Sequence, residues 1–310
     1  PYTDRVDYVA AMFCNHGWAM AAETLAGIEI PKRAEYCRVI ADELCRLHSH
    51  LLSVGSMAMD IGAFTPFLHA IRERENINNL LESLCGARLT FHYMRIGGVG
   101  WDLPEGFEAK CLEWIDHFEP LVDEFNDLIS FNEIYVKRLA DVAIITRAEA
   151  IDYNLVGPNL RASGVKYDVR RNEPYSVYPE LEFDIPVGEG WKGSVGDSFD
   201  RYFIRVIEMK ESCKIIRQCL KMIPKGPVVS KVPKRLKPPV GDVYLRLESA
   251  RGDMGWYVVS DGSEYPYRCK IRTGSFTAMS IVDKVSRGLM LADLIAVIAS
   301  FDVVAPEIDR

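Results

Sequence analysis

The chain has 310 residues, 48% hydrophobic and 26% charged, with a formal net charge of −7. That length suits one or two domains with a sizeable core, and the acidic balance argues against generic nucleic-acid binding, which needs a basic face. Eight cysteines (14, 37, 45, 85, 111, 213, 219 and 269) form no Cys-x-x-Cys pair, which speaks against a disulfide framework and for small buried side chains in a reducing compartment.

In chain order, Val6 to Ala26 is predicted as a helix from the spacing of Val9, Met12, Phe13 and Met20. Gly27 to Pro31 breaks it. Lys32 to Val54 is a stronger helix, with Val39, Ile40, Leu44, Leu47, Leu51 and Leu52 on one apolar stripe and Arg38, Asp42 and Arg46 opposite. His48, His50 and His69 read as ordinary helix-face histidines. The run Asp60-Ile-Gly-Ala-Phe-Thr-Pro66 sets an acid on a tight turn, an arrangement that also suits a helix cap. A third helix follows to about Cys85, closed by Gly86; its Arg72-Glu73-Arg74-Glu75 reads as a solvated face. Arg95-Ile-Gly-Gly98 is a second glycine turn. Pro104 opens a fourth helical stretch to about Ser130, with Pro120 predicted to kink or divide it. Residues 1–140 therefore read as a helical bundle core.

Residues 141–223 complete the bundle. Thr146-Arg-Ala-Glu149 is a capping box that starts a helix, Gly157 to Gly196 suggests loops and short strands, and Ser198 to Ile223 is a clear helix. Its predicted buried side holds Phe199, Phe203, Val206, Ile207, Ile215, Ile216 and Leu220. Residues 224–241 form a Pro/Lys-rich extended linker. From 242 to 310 the period changes: Asp242 to Glu248 and Pro266 to Arg272 alternate, with Gly255 to Ser260 and an Asp261-Gly262 turn between. A small antiparallel sheet is expected, covered by a last helix near Leu291 to Ser300. The apolar tail Leu289 to Ala305 is shorter than the roughly 20 residues of a membrane span and carries Asp293 and Asp302, so a buried helix is predicted. No signal peptide is recognisable. The fold class is mainly α with a smaller α+β part.

Pro1-Tyr-Thr-Asp-Arg-Val-Asp-Tyr8, the Asp60 turn, the Arg72–Glu75 run, Arg95-Ile-Gly-Gly98 and Glu307-Ile-Asp-Arg310 together resemble the quinone-site, 49-kDa-type subunit of respiratory complex I (NDH-1). That family is related to the [NiFe]-hydrogenase large subunits. The resemblance covers the whole chain and implies a hydrogenase-large-subunit-like bundle, here expected without its N-terminal sheet segment. It further implies a proton-translocating NADH:quinone oxidoreductase in which this chain binds no redox centre. A small iron–sulfur subunit would hold the neighbouring [4Fe–4S] cluster. A 30-kDa-type subunit and a membrane-arm subunit at the quinone entrance would be further partners. The location implied is peripheral, on the cytoplasmic side of a bacterial inner membrane or the mitochondrial matrix side.

Carried over residue by residue, Tyr8 is the expected hydrogen-bond donor to a quinone carbonyl; its phenol, of ordinary pKa about 10, stays protonated at neutral pH. On its own, such a tyrosine would read as a core residue. Asp60 is the acid that partners a pocket histidine in the family; that histidine belongs to an N-terminal hairpin outside these residues. Asp302 matches an acid near the headgroup, although Val303 replaces the family's proline. Arg88 and Arg95 would face the partner's cluster. Thr90 stands where the family often has a histidine bonded to that cluster, with His92 two positions on, which suggests a weaker pH dependence of its potential and a low-potential quinone such as menaquinone. The Cys-x-x-Cys pairs that hold nickel in hydrogenases are missing, which excludes that soft-thiolate site within this chain. A ferredoxin- or deazaflavin-dependent sister enzyme and a non-redox assembly subunit are the alternative readings.

Overall fold

A computed structural model describes residues 2–309; Pro1 and Arg310, the outer residues of the two terminal motifs, lie outside the described residues. After a short 3-10 turn at Thr3–Arg5, helix α1 spans Ala11–Ala26, α2 Lys32–Asp60 and α3 Phe64–Cys85. The first helix thus starts later than its apolar spacing suggests, because Val6 to Ala10 form a turn around Asp7, whose carboxylate accepts from the Val9 and Ala10 amides. Gly27 and Gly86 close α1 and α3 in the left-handed conformation that a glycine adopts without penalty.

Helix α2 is the axis of the bundle, packed by α1, α3, α9 (Ser198–Met222) and α12 (Leu291–Phe301). Every residue from Tyr36 to Leu51 is buried. The polar face expected for Arg38, Asp42 and Arg46 is therefore not solvated, and His48 and His50 are core residues rather than surface ones. A helix enclosed on all sides must pair each charge internally. Gly55 lets α3 come close: a Cβ there would sit 2.8 Å from the Ala70 methyl.

Between α3 and α4 lies a hairpin of β1 (Met94–Arg95) and β2 (Gly98–Val99). The 224–239 segment clasps it: the Val99 amide donates to Val228 O and the Ser230 amide to Gly97 O. Gly98, at φ 151°, makes this possible, since a Cβ would lie 2.1 Å from Val228 O. Helix α4 (Phe107–Phe125) runs through Pro120 without dividing, and the distortion falls in the π-helical turn Asn126–Ser130. Pro120 and Asp116 are both exposed, so the carbonyl freed by the missing N–H meets water.

The 157–196 stretch contains short helices rather than strands: α5 (Glu133–Leu139) and α6 (Arg147–Asp152) lead into α7 (Gly157–Ala162) and α8 (Val169–Asn172). The capping box at Thr146 and Glu149 is present. Along α9, Phe203 and Ile207 are only half-buried, whereas the other expected core positions are enclosed. The C-terminal sheet has antiparallel order β3 (Gly241–Ser249), β4 (Gly252–Ser260), β5 (Arg268–Arg272). Its cover is α1, not the late helix: Gly17 leaves room for Trp256, whose ring a Cβ would meet at 2.4 Å. After α10 (Gly274–Ser280) and α11 (Val282–Val285), α12 packs on α2, α9 and α5 through Ala296, Val297, Ser300 and Phe301. Its other face is not buried, and Leu291 is 78% exposed. Helix α13 (Ala305–Asp309) follows. No helix among the described residues is long and apolar enough to cross a membrane.

Candidate functional site

Asp60 ends α2, and the chain leaves it through Ile61-Gly62, with Gly62 at φ 102°. The acid is exposed at one wall of a cleft of about 310 Å³ whose lining includes Ser56, Ile295, Ile298, Ala299 and Asp302. Partial burial pushes its carboxyl above the ordinary range, and a carboxylate at a helix C-terminus meets the negative end of the dipole as well. A second cleft of about 360 Å³ adjoins the same helix end, lined by residues of the 61–66 turn and by Leu128, Ile129, Ile134 and Tyr135.

Asp302 follows α12 in the left-handed conformation, φ 53°. It is held there by Arg251, whose Nε donates to its carbonyl at 2.9 Å and whose Nη2 donates to its carboxylate at 3.2 Å. Arg205 Nε lies 3.6 Å from the other carboxylate oxygen. Arg251 sits on the two-residue turn between β3 and β4, since Ser249 pairs with Gly252. Its Nη1 reaches back to Asp7 at 2.6 Å and to the Ser49 hydroxyl at 3.2 Å. One guanidinium therefore joins the turn that carries Tyr8 to the wall that carries Asp302.

Tyr8 itself is 41% exposed. The structure brings Asp60 and Asp302 onto one cleft and ties the Tyr8 turn to Asp302 through Arg251, while the Tyr8 ring is not among the cleft-lining side chains. Arg88 and Arg95 stand apart from this cleft. Arg88 is exposed and pairs with Glu75 and Glu82, so part of its charge is balanced locally. Arg95 donates to the His92 and Met94 carbonyls and lies 6.0 Å over Trp101. Thr90 takes φ 51°, an uncommon backbone for a β-branched residue. Burial and then Arg95 lower the His92 pKa, which keeps that ring neutral.

The Arg72–Glu75 run is not wholly solvated either: Glu73 is buried and accepts from Arg72 and Asn76, while Glu75 pairs with Arg88. Deeper in the bundle, Arg46, Arg161 and Arg170 face Glu43, Asp168, Glu208 and Glu248, all of them buried. His50 Nε2 bonds Glu208 at 2.8 Å, and His16 Nδ1 bonds Asp42 at 2.6 Å. Three guanidiniums against four carboxylates leave one acid in surplus, and it is Glu248: burial and the Asp168 charge push it up to about 7. Arg161 lies in α7, within the stretch expected from the sequence to hold loops and short strands. Arg251 and the buried acids carry no local motif. The signal available in the sequence is a helix with Arg38, Asp42 and Arg46 four residues apart, with Glu43 beside them, opposite a strong apolar stripe. No group of three or more His, Cys, Asp or Glu able to hold a metal ion occurs among the described residues.

A helical bundle buried around a central helix, a small sheet on its flank and a carboxylate-lined cleft at one end define a helical, cleft-forming subunit. A sequence model described as "Respiratory-chain NADH dehydrogenase, 49 Kd subunit" matches residues 60–239 and 231–310. The chain belongs to this family, and it is a component of an oxidoreductase complex. It is 62% identical over 310 residues to a D-type subunit of the NADH-quinone oxidoreductase of Anaeromyxobacter dehalogenans, covering 100% of this chain and 82% of that protein. The D-type NADH-quinone oxidoreductase subunit of Sorangium cellulosum is 60% identical over 313 residues, 100% and 80% covered. Its counterpart in Desulforamulus reducens is 48% identical over 309 residues, 100% and 83% covered.

Proposed function

We propose that the Asp60/Asp302 cleft is one wall of a quinone headgroup pocket, completed by a small iron–sulfur subunit, in a proton-translocating NADH:quinone oxidoreductase. The observation that carries this reading is the pairing of two acids on a cleft whose other side is the apolar flank of α12. An apolar wall suits a quinone ring, and an acid held toward its protonated form, Asp60, suits a reaction that takes up two electrons and two protons. Tyr8, on the turn tied to Asp302, would orient a carbonyl oxygen by donating its phenol proton. Asp60, pushed toward protonation, would supply or sense the charge on the other side. A histidine beside Asp60 would come from outside these residues.

Around this end of α2 the surface is apolar: Leu291 and Ile295 of α12, Phe64 of α3, and Ile134 of α5, 72% exposed, all face outward. Arg138 and Asp293, 3.0 Å apart, tie α5 to α12. Such a patch fits a membrane-arm subunit at the quinone entrance and a peripheral position. Arg88 and Arg95, on the α3–β2 side, are the surface we assign to the cluster-bearing partner. With Thr90 in place of a titrating donor, the midpoint potential of that cluster should vary little with pH. The remaining surface is available to a 30-kDa-type subunit.

The test is the purified complex carrying Tyr8→Phe or Asp60→Asn. Quinone reduction should fall by about tenfold or more, while reduction of a water-soluble artificial electron acceptor stays unchanged. Full quinone reductase activity in both variants would replace this reading by that of a scaffold subunit.

A further inference from the structure

Behind the Asp302 wall, Arg251 stands among three carboxylates, two of them, Asp7 and Glu307, buried and Asp302 half-buried. Arg251 contacts Asp7 and Asp302 directly, and the third acid, Glu307 of α13, is wholly buried beside them. Asp7 has Arg251 and two backbone amides as donors. Asp302 has Arg251, with Arg205 at 3.6 Å. Among the described residues, no cation contacts Glu307. One of its oxygens accepts from the Ser275 hydroxyl and amide, and the other, also buried, has no partner among those residues. With all three acids ionised against Arg251 and Arg205, one negative charge would stay uncompensated, which an enclosed interior does not support. The proton belongs on Glu307, the wholly buried acid that neither guanidinium contacts.

We propose that Glu307 holds an exchangeable proton at neutral pH and that the Glu307–Ser275–Asp302 corner feeds it toward the cleft. This deepens the quinone reading above and rests on it for the destination of the proton, not for its presence. The Ser275 hydroxyl touches the Glu307 carboxyl and also accepts from the Val304 amide at 3.1 Å, so it links that acid to the loop bearing Asp302. The groups facing Glu307 agree: Asp7 and Cys14 from the N-terminal segment and Arg251, with Cys45 of α2 behind Cys14. Both thiols are pushed up by burial and stay neutral. Burial first, and the Asp7 charge second, push Glu307 up to about 8, with Arg251 only partly opposing them. When electrons from the partner's cluster make a headgroup oxygen basic, the ionised Asp302 would accept the Glu307 proton and hand it on to that oxygen. The Glu307 O–H breaks, a new O–H forms on the quinone oxygen, and water later restores the carboxyl. No other bond changes.

The experiment uses the purified complex with Glu307→Gln and Glu307→Asp. In the oxidised resting complex, infrared difference spectra between pH 6 and pH 9 should show a neutral-carboxyl C=O band that disappears near pH 8. This band should be lost in Glu307→Gln. Quinone reductase kcat should fall about tenfold in Glu307→Gln, with the alkaline limb near pH 8 gone and KM within about twofold, and Glu307→Asp should recover most of it. If Glu307→Gln does not assemble, Ser275→Ala serves, because losing that hydroxyl should move the band and the limb to higher pH. A band unaffected by these changes, or wild-type kcat with an unchanged pH profile, overturns the proposal. The resting-state band is read without turnover, so it is independent of Tyr8→Phe, whose full activity would instead remove the quinone reading.

Discussion

Arg161 shows what a buried charge does in this protein. Its guanidinium touches Glu208, Glu248 and Asp168, all enclosed. Removing one partner of such a set leaves the others uncompensated, so Arg161→Ala should cost about 3–5 kcal/mol. Reduced assembly of the complex and a lower midpoint in a denaturant series would register it. Arg161→Lys should recover only part of this, because an ammonium cannot reproduce the fork that spans three acids. At this scale the sequence is least legible. Arg38, Asp42 and Arg46 sit at the spacing of a solvated helix face, and only the tertiary contacts of α2 reveal that no such face exists. The same limit applies to His50, whose role depends on Glu208, a residue 158 positions away. Tyr8, Asp60 and Asp302 are singled out through the family resemblance alone, as proposed pocket residues, and the shared cleft of the two acids and the Arg251 tie emerge only in three dimensions.

Secondary-structure elements are more legible where local chemistry decides them. Gly86 ends α3 and the Thr146 box starts α6, because caps depend on residues within a few positions, whereas Asp261-Gly262 lies in a longer loop, 261–267, between β4 and β5. The helix that covers the sheet escapes the sequence for the opposite reason: α1 and α12 are both apolar, and what selects α1 is a missing side chain, Gly17, opposite Trp256. Gly17→Ala should therefore push α1 off the sheet, at about 1–3 kcal/mol. The Trp18–Trp256 pair, with centroids 6.0 Å apart, offers the readout, as a changed near-ultraviolet dichroism. Gly98→Ala should release the 224–239 segment from the hairpin, seen as faster proteolysis there, since both its backbone angle and the Val228 carbonyl forbid a methyl.

For the molecule as a whole, acids of two kinds set the dependence of stability on pH. Although burial opposes it, Arg161 holds Glu208 well below the ordinary carboxylate range, and Arg46 with Arg170 lowers Glu43. Their contribution is complete above the unfolded value of about 4.3 and is lost as pH falls below it. Glu248 and Glu307 are pushed the other way, to about 7 and about 8, so their contribution fades as pH climbs through those values. From these groups, thermal midpoints should be highest at about pH 4–5, fall as pH rises toward about 8, and fall again in stronger acid. The apolar rim around α12 makes a separate prediction. Leu291→Asp with Ile295→Asp should leave the midpoint of the chain itself nearly unchanged, since both residues face outward. It should detach the chain from the membrane fraction of cells that make the complex.

The contact between Asp7 and Arg251 spans 244 positions. During synthesis the ribosome delivers the acid long before its basic counterpart, and a carboxylate buried early would have nothing to neutralise it. The turn carrying Asp7 therefore stays loosely docked until the β3–β4 hairpin has emerged, and this part of the bundle closes late. Translation rate and holdase chaperones consequently have a long interval in which to govern how much of this protein reaches its assembly line.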